Sequence, residues 1–405
     1  MQFIRLSVLL LLILSTVGYT KDTGADWPQW RGPSRDGLSP ETDLIDGWRE
    51  GGPKVLWRAA SGDGYSAISI KEDRLYTMLG RESSEIIICL DAKSGKTFWQ
   101  YSLDSKFKNQ FGNGPRATPT VNNGIVYGIS ARGKLAALNS ATGAEIWKKD
   151  LVAEYDAKVP NWGVSTSPLV YQNLLIVDVG GSGRNGLMAF DKKNGKVVWG
   201  TATSAPGYSA PIFFETDAAK HILNFSGKAL ISVNPQNGAL RWSYEWITDY
   251  DVNAATPIFI APDKVFISTG YGKGAAMLKV SANSVDEIWK SRAMRNHFSS
   301  SIYLNGFLFG FDNATLKCVD ANTQKTLWAK RGFSKGSLLY ADGRLIVLGE
   351  KGKLALVEAK PDAYVEQAVA QVLQGKCWTV PTLLNGKLYI RNQKEIQCLD
   401  FKKTK

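Results

Sequence analysis

A single cassette recurs eight times along this 405-residue chain, and its spacing constrains the fold more than any individual residue does. Each copy has an apolar residue, then usually Asp or Asn, a turn of four or five residues that often ends in Gly, and a short strand carrying Trp. The clear copies are Leu90-Asp91 through Gly95 to Trp99, Leu138-Asn139 through Gly143 to Trp147, Phe190-Asp191 through Gly195 to Trp199, and Val233-Asn234 through Gly238 to Trp242. Degraded copies follow at Val280-Ser281 to Trp289, Val319-Asp320 to Trp328, Val357-Glu358 without a Trp, and Leu399-Asp400. The marker-to-marker steps of 48, 52, 43, 47, 39, 38 and 42 residues each suit one four-stranded blade. The expected fold is all-β, an eight-bladed β-propeller of four-stranded antiparallel blades.

Each unit opens on an alternating apolar strand, a tight turn such as Asn122-Asn123-Gly124, and a second strand, here Ile125 to Ile129. The cassette turn then joins the third strand to the fourth, C to D. Its Asp or Asn side chain can accept backbone N–H groups, and its Gly supplies a positive φ. The eighth unit supplies Thr379 to Leu384, Lys387 to Arg391 and Glu395 to Phe401, and lacks a fourth strand. Val55 to Arg58, an orphan Trp-bearing strand, is expected to fill that place and close the ring, removing two exposed edges. The other reading is that Trp57 only caps blade one. The tryptophans at 99, 147, 199, 242, 289 and 328 are expected to fill the wedges between blades, each costing about 3–5 kcal/mol to remove if fully buried. Unit seven has Val365 and Glu366 near that place, so its junction is expected to be the weakest.

These cassettes resemble the pyrroloquinoline-quinone (PQQ) repeat family, in which an Asp-x-x-Thr-Gly-x-x-x-Trp pattern docks blades. The resemblance runs from Pro53 to Phe401. It is similar in style to the propeller lipoprotein of the outer-membrane β-barrel assembly machine and, more distantly, to quinoprotein alcohol dehydrogenases. Trp27-Pro28-Gln29-Trp30-Arg31-Gly32-Pro33 resembles an N-terminal signature of secreted propellers. The organisation read from the chain is a signal peptide over residues 1–20, an extension with this motif over 21–52, and the propeller over 53–405.

Arg5, the apolar run from Leu6 to Leu14 and the small residues before Lys21 have the layout of a cleaved secretory signal, with a membrane anchor as the alternative. No Cys lies near the cleavage region, unlike the lipoprotein. The expected product is exported to the periplasm, cell surface or medium, with no transmembrane segment after cleavage. Cys89, Cys318 and Cys398 each precede the Leu/Val-Asp of a cassette, where other copies hold Ala137, Ala189 and Ser232. That pattern favours small buried thiols over disulfides.

Only two histidines, His221 and His297, occur, too few for a multi-histidine metal site. Gly181 to Gly186 spells a dinucleotide fingerprint but lies between antiparallel strands. Asp249 to Asn253 begins like a calcium loop, yet Ala254 and Ile260 stand where Gly and Glu are needed. The resemblance brings PQQ and calcium as cofactors, but the adjacent cysteines of the dehydrogenases are absent. No cofactor is expected from the residues themselves, and a quinone-dependent oxidoreductase is the alternative to a non-catalytic role.

The formal charge is +12, and the blade register sorts it. The B–C loops place a cation in seven of eight blades, among them Arg81, Arg132, Arg184, Lys228, Lys273, Lys351 and Lys394. The C–D turns are nearly neutral. Strand A begins on the cationic face, and aligning the blades puts Tyr65, Arg116, Ser165, Tyr208, Ala254, Phe298, Lys335 and Trp378 at one level, with Trp162, Asn253 and His297 nearby. The candidate ligand site is therefore Arg116, Trp162, Tyr208, Lys335, Trp378, Tyr65 and His297. Aromatic faces with cations suit a planar or sugar-like anion; otherwise these side chains plug the channel. The function expected is a binding or scaffolding propeller recognising a protein or carbohydrate, as a monomer or within a complex, with no role in nucleic-acid binding. An envelope assembly factor is a further alternative, by fold analogy.

Overall fold

In the computed structural model, which describes residues 26–403, eight four-stranded antiparallel sheets form a β-propeller. Blade one comprises Ser69–Lys71, Arg74–Arg81, Ser84–Asp91 and Thr97–Ser105, strands A to D from the axis outward. The other blades repeat this order. The proposed signal segment, residues 1–20, lies outside the described residues. Among those described, no helix is long and apolar enough to cross a membrane.

Ring closure follows the expectation. Val55–Ala60 pairs antiparallel with Glu395–Asp400 and supplies the outer strand of blade eight. A second fastener comes from Arg391 on strand B of that blade. Arg391 is 1 % exposed, and its guanidinium donates to Met78 O and Thr77 Oγ1 in blade one and to Gly62 O and Ser66 O in the segment leading into it. Burial lowers its pKa to about 9, so carbonyl dipoles do the work of water in holding this charge.

The cassette docks blades through one repeated contact. The indole N–H groups of Trp57, Trp99, Trp147, Trp199, Trp289 and Trp328 each donate, at 2.9–3.2 Å, to a carbonyl in the C–D turn of the next blade. In four of these turns, those receiving Trp57, Trp99, Trp147 and Trp199, the cassette Gly lies against the ring. A Cβ on Gly95, at φ +73°, would come 2.6 Å from Trp57, so the position excludes side chains for both conformational and steric reasons. Opposite each Trp, strand C carries a small or slender residue: Trp57 pairs with Cys398, Trp99 with Cys89 and Trp328 with Cys318. All four cysteines are buried free thiols, as the cassette position of Cys89, Cys318 and Cys398 implied for those three.

Two copies depart from the pattern. In blade five the turn has Ser281 in place of Asp and no Gly, and it closes more tightly, Ser281 N to Ser284 O. Trp242 then has no partner for its buried Nε1 among the described residues, and Arg241 takes the Ala282 carbonyl instead. Trp289 is only partly buried, so it is not the enclosed residue that the repeat implied.

Blade seven needs a second correction. The residue at its Trp position is Ala368, paired with Leu356, rather than Val365 or Glu366. The vacated volume is taken by Trp48 of the N-terminal extension, which packs in one cluster with Ala368, Val372, Leu356 and Phe401. The extension is thus a working part of the ring.

It also closes the axial channel from the A–B face. Trp27 bridges Ile70 of blade one, Leu38 bridges Tyr340 of blade seven and Leu44 bridges Lys402 beyond blade eight. Between these anchors the chain dips into the channel. Arg31 donates to Ser300 O and Ser301 O, and Arg35 to Ser167 O and Pro211 O. The WPQWRGP motif and the residues after it therefore work as a plug, with Arg31 and Arg35 among carbonyls that lead into the A strands.

Candidate functional site at the channel mouth

Because the plug enters from one face, the other face keeps a blind cup of about 270 Å³. The eight residues aligned by blade register all line it: Tyr65, Arg116, Ser165, Tyr208, Ala254, Phe298, Lys335 and Trp378. Seven stand four residues before their A strand and Lys335 two before, because blade seven's A strand, Ser337–Ala341, starts early. Trp162 and His297 join the lining, so all seven candidate ligand residues are brought together. Asn253 is buried instead, its amide donating to Trp246 O, Ser226 O and Gly227 O.

The wall is a nearly continuous aromatic annulus. Tyr65 meets Trp378 at 5.1 Å between ring centroids, and Trp378 meets Phe298 at 5.0 Å. Tyr271 stacks on His297 at 5.1 Å, and Trp162 meets Tyr208 at 5.7 Å. Sequence reasoning missed three contributors. Phe111 lies on a long D–A connection and Tyr271 in a B–C turn, each an aromatic in a loop of the cationic face. Trp30 reaches the cup from the plug, donating its Nε1 to Thr256 Oγ1 at 2.9 Å; no local pattern marks that path.

Tyr65 and Trp378 are each held by a specific hydrogen bond. Tyr65 donates to Phe111 O at 2.6 Å, and a Cβ on Gly112, at φ +138°, would overlap that hydroxyl. Trp378 donates to Glu350 Oε1 at 2.8 Å, while Glu350 Oε2 accepts from the Lys335 amide. The connection that carries Phe111 and Arg116 rests on Glu85, fully buried, which accepts from Phe107 N at 3.2 Å and Ala131 N at 2.9 Å. Burial pushes the Glu85 carboxyl up to about 7.

The two predicted cations prove unequal. Arg116 donates to Trp162 O, Gly112 O and Gly114 O and lies over the Phe107 ring at 4.7 Å, so its donors brace the wall. Lys335 has its Nζ 3.3 Å from His297 Nε2. Burial, and then Lys335 itself, hold His297 down at about 4, so the imidazole is neutral and leaves the ammonium as the cup's available charge. Burial also lowers the Lys335 pKa, opposed by Glu350.

The donor set does not fit a quinone with its hard cation. No Asp or Glu lines the cup, and no group of three or more His, Cys, Asp or Glu able to hold a metal occurs among the described residues. The remaining histidine, His221, is packed into blade four, stacked on Phe214 at 4.5 Å and paired with Ser232 Oγ at 2.7 Å.

Fold and cup together define an eight-bladed propeller with a plugged axis and an aromatic opening that both Arg116 and Lys335 line. A family model described as outer membrane protein assembly factor BamB matches residues 82–330. The chain belongs to that family. It is 22% identical to the BamB of Yersinia pestis over 283 residues, covering 65% of this chain and 68% of that protein. The quinoprotein alcohol dehydrogenase PedH of Pseudomonas putida is 28% identical over 171 residues, 38% of this chain and 26% of that enzyme. The crystal structure of BamB from Moraxella catarrhalis superposes with a TM-score of 0.61 at 15% identity, over 86% of this chain and 99% of that one. A quinohemoprotein alcohol dehydrogenase from Comamonas testosteroni gives 0.63 at 13% identity, over 94% and 81%. Both superpositions show a shared propeller fold.

Proposed function

We propose that this protein is an exported, non-catalytic scaffold of the cell envelope that engages a protein partner through the cup. Membership in a family described as outer membrane protein assembly factors supports the scaffold role. The observation that carries the cup is the aromatic annulus around one ammonium. It offers stacking faces and a single charge-assisted donor, and it suits an apolar or aromatic side chain next to a carboxylate. No carboxylate lies in its wall. A carbohydrate anion remains a competing occupant for the test.

The test is photo-crosslinking in cells of the source organism. A benzophenone side chain replaces Phe111 or Tyr271 on the rim, or Ile146 on an outer strand. A discrete protein adduct from the rim positions, lost in a Lys335→Ala, Trp378→Ala background, is the expected result. No rim adduct, or an equal one from position 146, would refute the reading. Addition of PQQ with calcium is expected to change neither the absorbance nor the melting temperature.

A further inference from the structure

Five cations line one groove outside the cup. A groove of about 1100 Å³ runs between blades six and seven on the cationic face. Its walls carry Arg295, Lys317, Arg331, Lys351 and Lys353, against one carboxylate, Asp312. Asp312 is itself 4% exposed and consumed. Arg295 grips it through Nε at 2.6 Å and Nη2 at 2.9 Å, and Lys317 Nζ lies at 2.5 Å. Arg331, Lys351 and Lys353 form no ion pair among the described residues. Two cations elsewhere on this face are engaged by backbone. Arg81 donates to Ala60 O and Ser61 O, and Arg184 to Gly200 O. Blade six has no cation in its own B–C turn, Asp312-Asn313-Ala314-Thr315, and that turn lines the groove.

We propose that this groove binds an acidic, extended polypeptide segment of a partner. Three arguments select that occupant. The cations converge on a concave trough, which a strand can enter and a flat layer of headgroups cannot. Asn313, Thr315, Ser334 and Gln371 line it beside the charges, supplying amide and hydroxyl partners for a peptide backbone. The groove also adjoins the cup: within the connection from Arg331 to Lys335, Arg331, Gly332, Phe333 and Ser334 line the groove and Lys335 lines the cup. A chain lying in the groove is thus placed to deliver one apolar side chain to the aromatic annulus. The proposal deepens the scaffold reading and rests on it for that last step only.

The test uses the full chain and a fluorescein-labelled decapeptide of alternating Glu and Ser, read by fluorescence anisotropy at low salt. The expected result is binding that weakens about tenfold in Arg331→Glu, Lys351→Glu, both exposed positions whose change should leave the melting temperature in place. The Lys193→Glu, Lys196→Glu control on the opposite face should bind as the parent does, and a Lys/Ser decapeptide should not bind. Because exposed charges are screened over about 10 Å at 0.1 M salt, affinity should fall as salt rises. Equal weakening in both charge-reversed variants would show general attraction and overturn the site. So would phosphatidylglycerol vesicles or inorganic polyphosphate binding at the groove while the peptide does not. Lys335→Ala should leave decapeptide binding intact, so loss of rim crosslinks with intact peptide binding separates a failed cup from a failed groove.

Discussion

Trp48 packs against Phe401 with ring centroids 6.2 Å apart, standing where blade seven has Ala368 in place of the docking tryptophan. Six other junctions are held by an indole from the D strand of one blade on the turn of the next. Here the indole arrives from a segment more than three hundred residues away in sequence. Replacing Trp48 with Ala should lower unfolding stability by about 2–3 kcal/mol, below the full cost of a completely enclosed aromatic. Urea unfolding measures this, and a variant as stable as the parent would show that the junction does not need the ring.

Closure through blade eight makes Arg391 a second critical residue. Replacing it with Met keeps an unbranched apolar stem but removes the charged donor from the carbonyls of Gly62, Ser66 and Met78. A loss of about 3 kcal/mol is expected from unsatisfied buried acceptors. Hydrogen exchange should localise the opening to blades one and eight, and uniform loosening of all blades would contradict the closure role.

The cassette logic predicts one improvement. Gln324 occupies the Gly place of the blade-six turn at φ +61°, a region that costs a side-chain-bearing residue strain. Gln324→Gly should raise stability by about 1 kcal/mol, while Gly95→Ala should lower it, since its Cβ would press on Trp57. Thermal melts of the two variants should move in opposite directions.

Glu85 gives a pH signature. Its carboxyl is raised from an ordinary 4.5 to about 7 in the folded protein, so between those values the folded state binds more protons than the unfolded state. Its contribution to stability is full below pH 4.5 and is lost as pH rises towards 7. Glu85→Gln should remove that slope. A parent whose stability is flat across the window, or a variant that keeps the slope, would assign the titration elsewhere.

In the cup, Arg116→Ala and Lys335→Ala should separate. Arg116 braces three carbonyls of the wall, so its loss should loosen the connection that carries Phe111 and lower the melting temperature. Lys335→Ala should leave the melting temperature nearly unchanged and weaken partner binding. Calorimetry and the rim crosslinks together check both halves.

The repeat length, the four-strand unit, the closing strand at Val55 and the level of eight cup residues were all legible in the sequence. Each is local, set by alternation of apolar residues, turn chemistry and a marker recurring at blade spacing. The place of Cys89, Cys318 and Cys398 opposite the tryptophans followed from the same register. What the tertiary structure alone decided involves segments that meet without any shared period. Trp48 fills a missing repeat position, Trp30 enters the cup from the opposite face, and Arg31 and Arg35 lie among carbonyls just before the A strands of distant blades. The unequal fates of Arg116 and Lys335 belong here too, since backbone carbonyls from neighbouring loops decide which cation remains available. A periodic pattern fixes where each blade presents its residues, but partners supplied by a non-repeating segment depend on the closed ring that brings them within reach.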